Sequence, residues 1–183
     1  MVAILLLVLG CTAGVKTRAA AGGTVNEDML RPGDILLVDV YTGWSQFGLW
    51  DHAAAYVGIQ PGLLPYAAPV VIEATFDKGV HCTALADFLA RDAPAAVAAL
   101  RLRDSSGGTR AAGDVVGYTI AQVGKPFDYT ATAALPCKLN AENTHCTELI
   151  WRAFKAIGID VDSNGGPFVY PDDIFHSRHL EQI

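Results

Sequence analysis

The 183-residue chain has no run of Lys or Arg, and its formal net charge is -6. It therefore lacks the electropositive footprint that a nucleic-acid ligand requires. It has no C-x-x-C pair, which removes the usual knuckle for a structural zinc. The liganding pairs it does have, His81-Cys82, His145-Cys146, Asp172 with His176 and His176 with His179, form no set with a known metal spacing. The run from Gly107 to Asp114 has glycines but no Gly-Lys-Ser/Thr, so it is not a phosphate-binding loop. No apolar run reaches the ~20 residues that span a bilayer, and there is no internal repeat or low-complexity segment. Charged residues are scarce at 17% against 51% hydrophobic, which excludes a disordered chain. The length suits one domain with a real core. Nothing in the sequence asks for a cofactor.

The N-terminus is apolar from Met1 to Leu9 and then small-residued over Gly10-Cys11-Thr12-Ala13-Gly14, the shape of a secretory h-region and cleavage site. Val8-Leu9-Gly10-Cys11 resembles a bacterial lipobox. That resemblance implies a signal peptide over 1–10, a lipidated Cys11, a flexible Ala/Gly/Thr-rich tether over 11–28 and a single domain over 29–183. The alternatives are a hydrophobic first strand and a wrongly assigned start. The expected location is the cell envelope, lipid-anchored or secreted. If Cys11 is lipidated and Cys146 is a free thiol, Cys82 and Cys137 remain, and a disulfide between them is left open.

Along the chain, Leu30-Arg31-Pro32-Gly33-Asp34 is a turn signal that launches the β-branched run from Ile35 to Tyr41, a buried strand. The loop from Thr42 to Asp51 carries Trp44, Phe47, Leu49 and Trp50, aromatic density that serves either core packing or a substrate cleft. Asp51 to Ile59 reads as a strand with His52, Ala54 and Tyr56 on one face. A hairpin-like Pro61 to Pro65 leads to a third strand, Val70 to Ala74. Its Glu73 is anomalous, because a carboxylate in an apolar run needs water or a partner; His52 or an arginine such as Arg101 is the expected neighbour. Gly79 to Cys82 suggests a short edge element, Thr83 to Arg91 a capped helix, and Ala96 to Arg103 a half-exposed strand. Ala111 to Val123 reads as a helix, and Tyr170 to Phe175 as a short one with acids in its first turn. About four strands, with helices gathered in the second half, predict an α+β layout.

One stretch carries nucleophile chemistry. Leu149, Ile150, Ala153, Phe154 and Ile157 recur at helical spacing and Gly158 stops the run, which predicts a helix from about Cys146 to Ile157 capped by Thr144 or Asn143. Cys146 falls in its first turn. There, unpaired N–H groups and the helix dipole lower a thiol pKa from about 8.5 toward neutrality or below, and the same N–H groups can hold an oxyanion. The bland alternative is a buried cysteine acting as a small hydrophobe. Cysteine catalysis needs a thiolate, an imidazole to hold and return the proton, and a polar group to fix the imidazole. Cys146, His52 and Glu73 are the candidates.

Six runs in order carry a family resemblance: Arg31 to Leu36, Asp51 to Gly58, Val71 to Ala74 with Gly79-Val80, Gly124 to Tyr129, Cys146 to Ile150, and Tyr170 to Asp173. Together, over about residues 30 to 176, they resemble the circularly permuted, YiiX-like branch of the NlpC-type papain-fold superfamily. The resemblance implies a small antiparallel sheet or half-barrel packed on helices, with the nucleophile helix in the C-terminal half. It assigns Cys146 as nucleophile, His52 as general base and acid, and Glu73 as the orienting residue. His145 and Thr147 stand where many relatives have an aromatic and a serine; His145 either caps and packs or contributes to the site. The leading expectation is an extracytoplasmic cysteine hydrolase that cleaves an amide, a cell-wall peptide bond, through a thioester acyl-enzyme. The alternatives are a thiol-dependent lipid acyltransferase or esterase, with Trp44, Phe47 and Trp50 seating an acyl chain, and a silent envelope binding module. The sequence leaves the oligomeric state open.

Overall fold

The computed structural model describes residues 25–40, 48–91, 96–106, 108–129, 137–139 and 142–183. The expected signal peptide, the lipidation site Cys11, nearly all of the tether, and Trp44 and Phe47 lie outside the described residues, as does the side chain of Cys137.

The strands are β1 (Ile35–Asp39), β2 (His52–Ile59), β3 (Pro69–Thr75), β4 (Gly79–Ala84), β5 (Ala96–Leu102) and β6 (Leu180–Gln182). They form an antiparallel sheet in the order β4-β3-β2-β1-β5-β6. The helices are α1 (Leu85–Ala90), α2 (Gly108–Ala121), α3 (Cys146–Ala156) and α4 (Pro171–Phe175). This is the α+β class, an open sheet packed on few helices.

β1 is central because Ile35, Leu36, Leu37 and Val38 are apolar on both faces, and each face has a layer to cover it. On one side Leu36, Val38, Ala54, Tyr56 and Val71 pack with Leu85 and Phe88 of α1. On the other, Ile35, Leu37, Ala53 and Ala55 meet Ile150, Ala153 and Phe154 of α3 together with Val115 of α2. Alternation along β1 and β2 thus separates the two layers. The small alanines of β2 let α3 approach closely. Burial of Leu149, Ile150 and Phe154, each 1% exposed or less, contributes about 1.5–3 kcal/mol per side chain.

Several expectations shift in the folded chain. β4 runs on through Thr83 to Ala84, so Thr83 is a strand residue and does not cap a helix; Ala84 precedes α1 without a side-chain cap. α2 starts at Gly108, ahead of the expected Ala111. β6, unforeseen, pairs Leu180 with Leu102 and tucks it into the core. At Gly79, φ is +66°, and a Cβ there would lie 2.2 Å from the Lys125 carbonyl oxygen. The glycine lets β4 touch the 125–127 segment, where Val80 N–H donates to Lys125 O at 2.8 Å. That segment in turn pairs Phe127 with Thr144 and delivers the chain to α3.

Candidate active site

Cys146 is the first residue of α3, and His145 is its N-cap, not Thr144 or Asn143. The His145 ring faces the Glu148 N–H, and the Glu148 carboxylate returns to the His145 N–H at 3.4 Å. Glu148 is itself fully buried, held by Arg152 one turn on at 2.7 Å. This reciprocal cap fixes where the helix begins and so where the thiol stands. The first-turn N–H groups have no partner within the helix.

His52 opens β2 at the margin of the sheet, within reach of both layers. Its Nε2 lies 2.7 Å from Glu73 Oε2. Glu73, opposite Ala54 in the neighbouring strand, shares its face with His52, because residues two apart on a strand point the same way. With Nε2 given to Glu73, Nδ1 is the ring nitrogen left to serve Cys146, whose charge raises the His52 pKa. His52 and Glu73 are therefore in direct contact, and Cys146 stands at the start of α3, the helix that packs on β2.

The electrostatics favour the thiolate form of this cysteine. Burial pushes the Cys146 thiol up, but the His52 imidazolium, a hydrogen bond from His145 and another from His52 outweigh it, and the pKa falls to about 5. Burial likewise pushes His52 down, but the thiolate's charge and hydrogen bond, with Glu73 behind them, raise it to about 9. The ground state near neutrality is a thiolate–imidazolium pair. An inert structural cysteine would have its pKa raised, as burial raises that of Cys82.

The full environment of Glu73 is not legible in the sequence. The carboxylate is fully buried. It accepts both arms of Arg91, at 2.8 Å on Oε1 and 2.6 Å on Oε2, and the Thr83 hydroxyl at 2.5 Å. Together with His52 they hold its pKa far below the usual carboxylate range, although burial alone would raise it. Arg101, the arginine expected there, pairs instead with Asp34 through two bonds of 2.8 and 2.7 Å. Arg91 follows α1 directly, and only the fold brings that helix end over β3. His81, opposite Glu73 on β4, donates from Nδ1 to Gly79 O at 3.0 Å, and its Nε2 stands 3.5 Å from Glu73 Oε1.

Two further contacts set the site's frame. Thr147 Oγ1 donates to the Val169 carbonyl at 2.6 Å. Asp172, in the first turn of α4, accepts from Leu49 N–H at 2.9 Å and Trp50 N–H at 3.2 Å, just ahead of His52. Trp50 is a core residue, 5% exposed with its ring centroid 5.4 Å from that of Phe175, so it does not wall a cleft for an acyl chain. Cys82 is a free thiol. Among the described residues no group of three or more His, Cys, Asp or Glu side chains is placed to hold a metal ion, and no helix is long and apolar enough to cross a membrane.

In chain order His52 comes first, then Glu73, both on the antiparallel sheet, and then Cys146 at the start of the helix packed against it. That order and geometry define a papain-like cysteine hydrolase with permuted connectivity. The comparisons agree in kind: the chain belongs to the permuted papain-like amidase family, YaeF/YiiX, C92, whose model matches residues 29–177. That family is described as one of permuted papain-like amidase enzymes. It is 29% identical over 179 residues to the uncharacterized protein YycO of Bacillus subtilis (strain 168), covering 93% of this chain and 62% of that protein. The chain thus spans about 62% of the length of that relative. Its fold is similar to the crystal structure of the metalloprotein yiiX from Escherichia coli O157:H7, with a TM-score of 0.63 at 15% identity, over 84% of this chain and 96% of that one.

Proposed function

We propose that this chain hydrolyses an amide bond of a cell-wall peptide, on the outer side of the cytoplasmic membrane, through a thioester on Cys146. The observation that carries the chemistry is the half-buried Cys146 at the start of α3, its thiol pKa lowered to about 5, with His52 held at 2.7 Å by Glu73. The location rests on the sequence alone, on the apolar stretch ahead of Cys11.

The Cys146 thiolate attacks the amide carbon, and the carbonyl electrons move onto oxygen. That oxyanion forms beside the Cys146 backbone N–H, which helix geometry leaves unpaired and which gains most when the charge develops. His52 gives its proton to the leaving nitrogen as the C–N bond breaks, leaving a thioester and a neutral imidazole. His52 then takes a proton from water as the water oxygen attacks the thioester. Collapse of the second tetrahedral state expels the sulfur as thiolate, and the carboxylic acid product departs. Glu73 keeps its charge throughout; it fixes the ring and stabilises the imidazolium.

The test is incubation of the protein with muropeptides and mass spectrometry of both products and enzyme. Wild type is expected to release a new carboxylate and to show the acyl mass on the Cys146 peptide, and Cys146→Ala to do neither. Turnover retained in Cys146→Ala would reject the mechanism. Acyl-enzyme formed from an acyl ester but not from any muropeptide would reject the substrate class.

A further inference from the structure

Glu73 orients His52, and the carboxylate must itself be held. The last torsion of a glutamate side chain is broad and roughly two-fold, so a carboxylate left to itself turns easily. An ionised carboxylate offers about four acceptor sites, two on each oxygen. In this fold four donors meet them. Oε1 receives Arg91 Nη1 at 2.8 Å and the Thr83 hydroxyl at 2.5 Å, while Oε2 receives Arg91 Nη2 at 2.6 Å and His52 Nε2 at 2.7 Å. His81 Nε2, 3.5 Å from Oε1, is buried and makes no hydrogen bond among the described residues. Arg91 ends α1, where its backbone N–H donates to Asp87 O at 2.9 Å. Phe88, three residues earlier, is buried with its ring centroid 5.5 Å from the Arg91 guanidinium carbon and 6.1 Å from the centroid of the His52 ring. α1 thus backs the imidazole with Phe88 and the carboxylate with Arg91.

We propose that Arg91 is a positioning residue of the catalytic centre: its planar fork locks the Glu73 carboxylate in the plane that gives one acceptor site of Oε2 to His52 Nε2. The fork matters, and not the charge alone. A guanidinium presents its N–H groups in a fixed plane that matches both oxygens of a carboxylate, whereas an ammonium is a point charge. With Arg91 in place, Glu73 cannot turn away from His52 without breaking two charge-assisted bonds. Without the fork, Glu73 keeps its charge but loosens its hold on the ring, and the imidazolium becomes a stronger acid. The groups that face this centre are His52 from β2, Thr83 and His81 from β4, Arg91 from the end of α1 and, across the imidazole, Cys146 from α3. Among the described residues Arg91 alone donates to both carboxylate oxygens.

The inference rests on His52 as the base of the proposed reaction, but its test uses no substrate and so fails separately from that reading. The His52 ring is titrated by NMR in protein carrying isotope-labelled histidine, its signals identified by their loss in His52→Gln. The proteins compared are wild type, Arg91→Lys, Glu73→Gln and the double variant. Arg91→Lys keeps the cation and removes the fork. It is expected to lower the His52 midpoint from about 9 by about one pH unit, in the same direction as Glu73→Gln. Because Arg91 acts through Glu73, Arg91→Lys is expected to add nothing in the Glu73→Gln background. An Arg91 that serves stability alone would leave the midpoint where it is. A midpoint unchanged or raised in Arg91→Lys overturns the proposal, and so does a further fall in the double variant. Should Arg91→Lys fail to fold by circular dichroism, the wild type carries the test. Its Arg91 Nη protons are expected as separate, slowly exchanging resonances of an arrested guanidinium, and a single averaged signal overturns the proposal.

Discussion

The Glu73 carboxylate offers a quantitative test of how the site is held. Replacing it by glutamine keeps its shape and removes its charge. The amide nitrogen must then occupy the position of Oε1 or Oε2, each of which faces an Arg91 N–H at 2.8 or 2.6 Å. Toward Thr83 the conflict is lighter, because a hydroxyl can turn and accept. One Arg91 bond is lost in either orientation, and a guanidinium is left beside a neutral amide. Breaking a buried pair usually costs 3–5 kcal/mol, but the Arg91 side chain is 34% exposed and water can screen it, so the lower end, about 3 kcal/mol, is expected for Glu73→Gln. Arg91→Met strips two hydrogen bonds from a carboxylate that cannot reach water, although Thr83 and His52 remain; about 2 kcal/mol is expected. The double variant has neither an unpaired charge nor opposed donors. Its loss should be about 3 kcal/mol, not the roughly 5 of independent sites, which is a coupling of about 2 kcal/mol. Urea denaturation of all four proteins, followed by far-UV circular dichroism with m-values compared, measures that coupling. Additivity within ~0.5 kcal/mol would refute the view that Glu73 and Arg91 act as one unit.

Catalytic pH dependence should follow the thiolate–imidazolium pair. kcat/KM is expected to rise as the thiolate forms near pH 5 and to fall as the imidazolium is lost near pH 9, both being properties of the pair. In Glu73→Gln the alkaline limb should move to lower pH, since Glu73 helps to raise His52; an upward move would contradict its orienting role. Gly79→Ala should destabilise by more than ~2 kcal/mol, because it combines a positive φ with a Cβ driven onto the Lys125 carbonyl oxygen 2.2 Å away. Gly124→Ala, with φ +92° and nothing within 4 Å of its added Cβ, should cost about 1–2 kcal/mol from the backbone alone. Thermal melts of the two compare clash with strain, and equal losses would show that the β4 contact does not matter.

The nucleophile helix, the strand that starts at His52 and the oddity of Glu73 were all legible in the sequence, because each breaks or obeys a local pattern. Helical spacing marked α3, and a carboxylate inside an apolar strand marked itself. Partners at long range leave no such trace. Arg91 and Arg101 look equally available in one dimension, and only the antiparallel order of the sheet decides that α1 ends over Glu73 while Arg101 faces Asp34. β6 is three residues whose pattern is too short to read; it exists because β5 offers it an edge. The cap of α3 was misplaced for a different reason. Histidine is not among the favoured N-caps, so the cap that His145 makes with Glu148 leaves no signal in the sequence.

The segment around α4 holds both halves of the catalytic pair. Val169 O receives the hydroxyl next to the nucleophile, and Asp172 receives two N–H groups just before the base. In an evolving lineage this makes a few residues answerable to two masters. A substitution at Asp172 acts just ahead of the imidazole and a shift of the Val169 backbone acts beside the thiol, so a displacement of this one short segment reaches both. Divergence among descendants of such an enzyme should therefore concentrate elsewhere, in loops that touch only one of the two, and new specificities should arise there while this short segment is inherited nearly unaltered.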